Sequence, residues 1–167
     1  MIFRLTHKAS KRLRIRCVEV TPVQASMLEW YCNLVIIQRR HFFLLTQATT
    51  LFSFWAPAAG CTRDNFGPMF RRAVTDTFRD YGFSDADIVR IVDDGPDIFS
   101  TSADRGVVGS MVDYVKMIQY MADYEGGLDR MSPRKMNDIA NECPMSRIGG
   151  NSPDRYLKQV LRSAGAA

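Results

Sequence analysis

Two stretches of this sequence carry side chains whose types and spacing suit chemistry. The first is basic. Lys8, Lys11, Arg12, Arg14 and Arg16 follow Arg4, and no acid intervenes until Glu19. Cations at that density displace counterions from a polyanion, and arginine in particular matches phosphate oxygens. Arg39 and Arg40 extend the set. These seven residues, Lys8 to Arg40, form the candidate surface for nucleic acid or an acidic protein partner. The plainer reading is a basic face that is solvated or paired with acids elsewhere. The second stretch is Asp104-Arg105-Gly106-Val107-Val108-Gly109-Ser110-Met111-Val112-Asp113. Ser102 or Asp104 can cap a helix here, and its first amides with Arg105 could hold an anion. Gly106 and Gly109 permit close approach, and Ser110 and Asp113 flank one helical face. Arg105, Ser110 and Asp113 are therefore a candidate anion site. The plainer reading is a routine cap on a tightly packed helix.

Catalytic signatures are sparse. No phosphate loop, dinucleotide fingerprint or nucleophile elbow is present. His7 and His41 are the two histidines. An enzyme of unrecognised type would draw on Arg39, Arg40, His41, Asp104, Arg105, Ser110 and Asp113, and no catalytic role can be assigned among them. Cys17, Cys32, Cys61 and Cys143 lie far apart without the close pairing of structural zinc ligands, so no metal and no cofactor is expected. These cysteines are expected to be reduced, packed thiols. Asn141 to Pro153 has a spacing that resembles a stretch near the end of many DDE-type transposases, but the acidic half lacks the strands that such an enzyme needs.

The charge is uneven. The chain has 167 residues and a net charge of +4. Residues 1–60 hold eight Lys and Arg against Glu19 and Glu29, and residues 61–167 hold 14 against 16 acids. Hydrophobic residues make up 46% and charged residues 24%, values of a globular domain rather than a disordered one. The strongly apolar runs, Leu34 to Ile37 and Phe42 to Leu45, are far shorter than the roughly twenty residues of a membrane helix. Residues 1–16 are basic and acid-free, as in a transit peptide, yet Met1 to Thr6 alternate like a strand and lead into patterned sequence. They are expected to belong to the fold of a cytoplasmic protein that does not enter a membrane.

The elements that must position these residues follow from periodicity. Residues 2–5 predict a strand, and Thr6 caps a short basic helix through Leu13. Residues 17–27 form an irregular connection broken at Pro22. Asn33 to Ile37, His41 to Thr46 and Thr50 to Trp55 predict an antiparallel meander with helices on at least one face. Phe66, Phe70, Val74, Phe78 and Tyr81 mark a helix that ends at Gly82, with Arg72 and Asp76 placed to pair. Ser84 and Asp87 form a capping box, and Asp97 to Thr101 predicts a further strand. A long helix starts near Arg105 and stops at Gly126-Gly127. Its stripe is Val107, Val108, Met111, Val115, Ile118, Met121 and Ala122. Ser132-Pro133 and Ser152-Pro153 open two more helices. The expected fold is α+β, with a small, mainly antiparallel sheet from the N-terminal third against four or five helices. One domain, residues 1–163, is expected, with 164–167 as a frayed tail.

The order of several landmarks resembles an uncharacterised bacterial family of small single-domain proteins, defined only as a domain of unknown function. They are Met1-Ile2-Phe3-Arg4-Leu5-Thr6, Trp30 with Asn33-Leu34, Arg39-Arg40, Leu51-Phe52-Ser53-Phe54, Gly109-Ser110-Met111 with Asp113, and Asn141 with Pro144-Met145. The chain departs from that pattern after Gly149, where Gly150 replaces the usual aromatic. The resemblance implies a single domain and supplies no activity. The residues alone favour a non-catalytic binding protein. An enzyme near Arg39–His41 and Asp104–Asp113, or an accessory protein of a mobile element or a defence or toxin–antitoxin locus, are the alternatives.

Overall fold

The computed structural model describes residues 1–21 and 26–165. Five strands, β1 (Ile2–Leu5), β2 (Glu29–Ile37), β3 (Arg40–Gln47), β4 (Ser53–Pro57) and β5 (Ile98–Thr101), form one sheet in the order β4-β3-β2-β1-β5. The meander β2-β3-β4 is antiparallel, as its three apolar runs with short connections predict. β1 lies parallel between β2 and β5. The last strand therefore comes from outside the N-terminal third.

Six α-helices are described: α1 (His7–Leu13), α2 (Phe66–Asp80), α3 (Asp85–Ile88), α4 (Arg105–Tyr124), α5 (Pro133–Glu142) and α6 (Pro153–Gly165). Two 3-10 turns, Leu128–Arg130 and Ser146–Ile148, join the last three. The N-caps are the residues that local chemistry selects. Thr6, Ser84, Asp104 and Ser132 each accept from an amide of the following turn. α6 continues through Gly165. Residues 166 and 167 and the break at Pro22 lie outside the described residues.

Strand alternation divides the core in two. Phe3, Leu5, Trp30, Cys32, Phe43, Leu45 and Phe54 face α1, α2, α3 and α6. Aromatic rings dominate this layer, with Phe3 edge-on to Phe70 at 4.8 Å and Trp30 edge-on to Phe70 at 5.1 Å. Tyr31, Val35, Ile37, Leu44 and Trp55 face α4 and α5. Both faces are covered, which explains the unbroken apolar runs. On α4, Tyr114 is fully buried alongside the expected Met111 and Ile118, while Val108, Val115 and Met121 are only partly covered. Cys32 and Cys61 are buried thiols in the first layer.

Several strand boundaries differ from the sequence pattern. β2 begins at Glu29, four residues early, because β1 pairs with Glu29 to Cys32. β4 begins at Ser53 rather than Thr50, because the Gln47 carboxamide oxygen accepts from the amides of Thr49 and Thr50 and from the Thr50 hydroxyl. That clamp holds a turn in which Leu51 has φ 61°. Pro57 closes the strand from within, paired with Phe42 on an edge where no amide is needed. No described helix is long and apolar enough to cross a membrane.

Candidate functional site

Arg4 leaves the basic set first. It sits on β1, between β2 and β5, 1% exposed, and its Nε donates to Glu29 Oε1 at 2.8 Å. Its Nη1 donates to Ser100 Oγ and to the Val20 carbonyl. A charge so buried needs partners, and the fold supplies them at Nε and Nη1, while Nη2 has none among the described residues.

The remaining early cations behave differently. Lys8, Lys11 and Arg12 lie on the outer face of α1, whose inner face buries Ala9 and Leu13. Arg14 is the C-cap of α1 in the left-handed region, φ 54° and ψ 39°. Ile15 then tucks inward, and Arg16 points out again. None of Lys8, Lys11, Arg12, Arg14 and Arg16 takes part in an ion pair among the described residues. Seven of the 14 cations from residue 61 onward pair with an acid among the described residues. Arg71 pairs with Asp97 at 2.6 Å, Arg79 with Asp85 at 3.0 Å, Arg134 with Asp138 at 2.8 Å and Lys135 with Glu125 at 2.6 Å. The acidic half pairs half of its own bases and, through Asp129, Arg40, and it leaves these five N-terminal cations unmatched.

Arg12 anchors this surface to the sheet. Its Nη2 donates to the Ala58 carbonyl at 3.1 Å, and the Ala58 amide donates to the His41 carbonyl at 3.0 Å. Arg12 therefore stands near the turn end of the β2–β3 hairpin. Strand register puts His41 opposite Ile36, on the face that carries α1, and both are exposed. Arg40 stands opposite Ile37 on the other face, and there it pairs with Asp129 at 2.6 Å. Arg39 occupies the turn itself, exposed, with φ 67°. The hairpin thus contributes His41 to the α1 side and sends Arg40 to the opposite layer.

Sequence reasoning missed one member of this surface. The chain after β4 returns past α1, and Arg12, Leu13, Arg14, Cys61, Thr62, Arg63 and Asp64 line one cleft of about 510 Å³. Arg63 carried no signal, standing alone beside Asp64 in a pre-helical loop. Burial pushes the Cys61 thiol up, and the nearby Arg12 charge opposes that shift. Cys32, deeper in the same layer, is pushed well up by burial.

The candidate anion site on α4 is already furnished by the protein. Asp104 accepts from the amides of Gly106 and Val107 and is held in turn by Arg147 Nη2 at 2.5 Å. Gly106 is what allows this, since a Cβ there would collide with the Arg147 guanidinium. Arg105 is exposed, Ser110 turns inward to donate to the Gly106 carbonyl, and Asp113 pairs with Lys116 at 3.4 Å. The structure does not bring these three together around an opening. Nor does it join them to the hairpin. Gln38 Nε2 donates to Asp123 at the far end of α4, and helix geometry puts that end about 27 Å from Arg105. The residues of the enzyme alternative are therefore split between the two ends of one helix.

No curated protein and no solved structure matches the chain. A family model described as a domain of unknown function, DUF6933, matches residues 2–156, which span every strand, α1 to α5 and the start of α6. The chain belongs to the DUF6933 family.

Proposed function

We propose that the protein is a non-catalytic cytoplasmic binding module that engages nucleic acid through α1 and the segment that follows it. The observation that carries this reading is the density of unmatched charge on one short stretch: Lys8, Lys11, Arg12, Arg14 and Arg16 take part in no ion pair among the described residues, and Arg63 lines the same cleft as Arg12 and Arg14. Phosphate contacts need positive charge in reach and do not need a base-reading element. Binding is accordingly expected to be tolerant of sequence.

The test is fluorescence anisotropy of labelled single- and double-stranded DNA and RNA at roughly 50 and 200 mM salt. About five phosphate contacts give a log–log salt slope near −4, so affinity should fall by a factor of a few hundred over that range. The triple variant Lys11→Glu/Arg12→Glu/Arg14→Glu should abolish binding and keep its far-UV circular dichroism. Absence of binding at low salt would overturn the reading and turn attention to an acidic protein as the occupant.

A further inference from the structure

We infer that the cleft between α1 and the loop before α2 is a phosphomonoester site, taking a nucleoside monophosphate or the terminal phosphate of an oligonucleotide. The inference deepens the nucleic-acid reading of the same surface and rests on it. Arg12, Arg14 and Arg63 bring three positive charges to one cleft, and Asp64 returns one negative charge. The net +2 matches a phosphomonoester, which carries about −1.5 to −2 at neutral pH. A phosphodiester brings one negative charge per phosphate and leaves the cleft half neutralised.

The walls are fixed before any ligand arrives. Arg12 is held by the Ala58 carbonyl. Arg14 is flanked by Leu13 and Ile15, which are buried pegs on either side. The opposite wall is pinned by Asn65, whose Oδ1 accepts from the Thr62 amide at 2.7 Å while its Nδ2 donates to the Gly60 carbonyl at 3.0 Å. Cys61 is buried beneath that loop. Guanidinium groups carried on two preset walls lose less freedom on binding a tetrahedral oxyanion than free side chains do. No aromatic ring lines the cleft, so a stacked base is not what it is shaped to recognise.

Two measurements on the full chain test the site. The first compares single-stranded 12-mers, labelled at the 3′ end, that carry either a 5′-phosphate or a 5′-hydroxyl. The second titrates adenosine 5′-monophosphate and adenosine by calorimetry. The expected result is at least tenfold tighter binding of the phosphorylated strand, with heat from the monophosphate and none from adenosine. Arg63→Ala should bring the two strands within twofold of each other, its fold checked by circular dichroism. A response to the monophosphate without a strand preference also supports the site and assigns its source as a free nucleotide. Equal, salt-sensitive binding of both strands with no response to the monophosphate overturns the cleft and leaves the nucleic-acid reading standing. A preference that survives Arg63→Ala places the phosphate elsewhere and also overturns the cleft. If neither strand nor the monophosphate binds, both readings fall.

Discussion

Asn141 lays its carboxamide along the backbone of Ser53. Its Oδ1 accepts from the Ser53 amide and its Nδ2 donates to the Ser53 carbonyl, each at 2.7 Å. One turn earlier, Asn137 Oδ1 accepts from the Trp55 amide at 3.0 Å. β4 is an edge strand, and α5 satisfies its outward backbone groups with two asparagines at i,i+4. An edge so covered offers no template to another strand.

Asn141→Ala should therefore leave a buried amide and a buried carbonyl without partners. The expected loss is about 2–4 kcal/mol of stability. Asn137→Ala removes one such bond and should cost about half as much. Urea denaturation reads both. Equal, near-zero shifts in midpoint would mean that the edge is satisfied by water.

Arg4 and Glu29 make the second prediction. Arg4→Met leaves the Glu29 carboxylate buried without its cation, and about 3–5 kcal/mol should be lost. Arg4→Met/Glu29→Leu removes both charges and should recover most of that loss. Chemical denaturation of the two variants side by side is the check. A single variant within 1 kcal/mol of the parent would contradict the pairing as a structural necessity.

Arg14 occupies a left-handed C-cap, where glycine is the usual residue. Holding an L-residue there costs about 1–2 kcal/mol, offset in part by the greater unfolded-state freedom of glycine. Arg14→Gly should stabilise the fold by about 0.5–1 kcal/mol and weaken nucleic-acid binding in the same protein. A variant that melts higher and binds as well as the parent would show that the strain serves no ligand.

Alkaline pH gives the fourth. Burial raises the pKa of Tyr114, and the neighbouring Cys143 and Asp113 raise it further. Tyr81 is raised first by burial and then by its hydrogen bond to Asp138 at 2.6 Å. Both stay protonated in the native state after the unfolded chain begins to lose its phenolic protons near about pH 10. The unfolded state then binds fewer protons, so stability is full below about pH 10 and falls as pH rises beyond it. Melting temperatures between pH 8 and 11 should show that decline. Tyr114→Phe should flatten it, while costing about 0.5–1.5 kcal/mol at pH 8 for the lost bond to the Leu51 carbonyl.

The sequence by itself determined what depends on near neighbours. Thr6, Ser84, Asp104 and Ser132 announced their helices because a cap bonds an amide two or three residues on. The meander followed from its three apolar runs with short connections, and the α2 and α4 stripes followed from a period of 3.6. The basic helix after Thr6 was legible from its cap and its run of cations, while the burial of Ala9 and Leu13 on its inner side came from the structure. Tertiary structure alone decided the rest. Whether Arg4 is a surface cation or a buried one depends on Glu29 and Ser100, which are 25 and 96 residues away. That Arg63 faces Arg12 and Arg14 follows from the path of the chain after β4, and that Asn137 and Asn141 serve β4 follows from where α5 docks. β1 could join β2 and β5 in parallel only once both were present. Such contacts are set by which apolar faces close on one another across the sheet, and no spacing within a short segment records that choice.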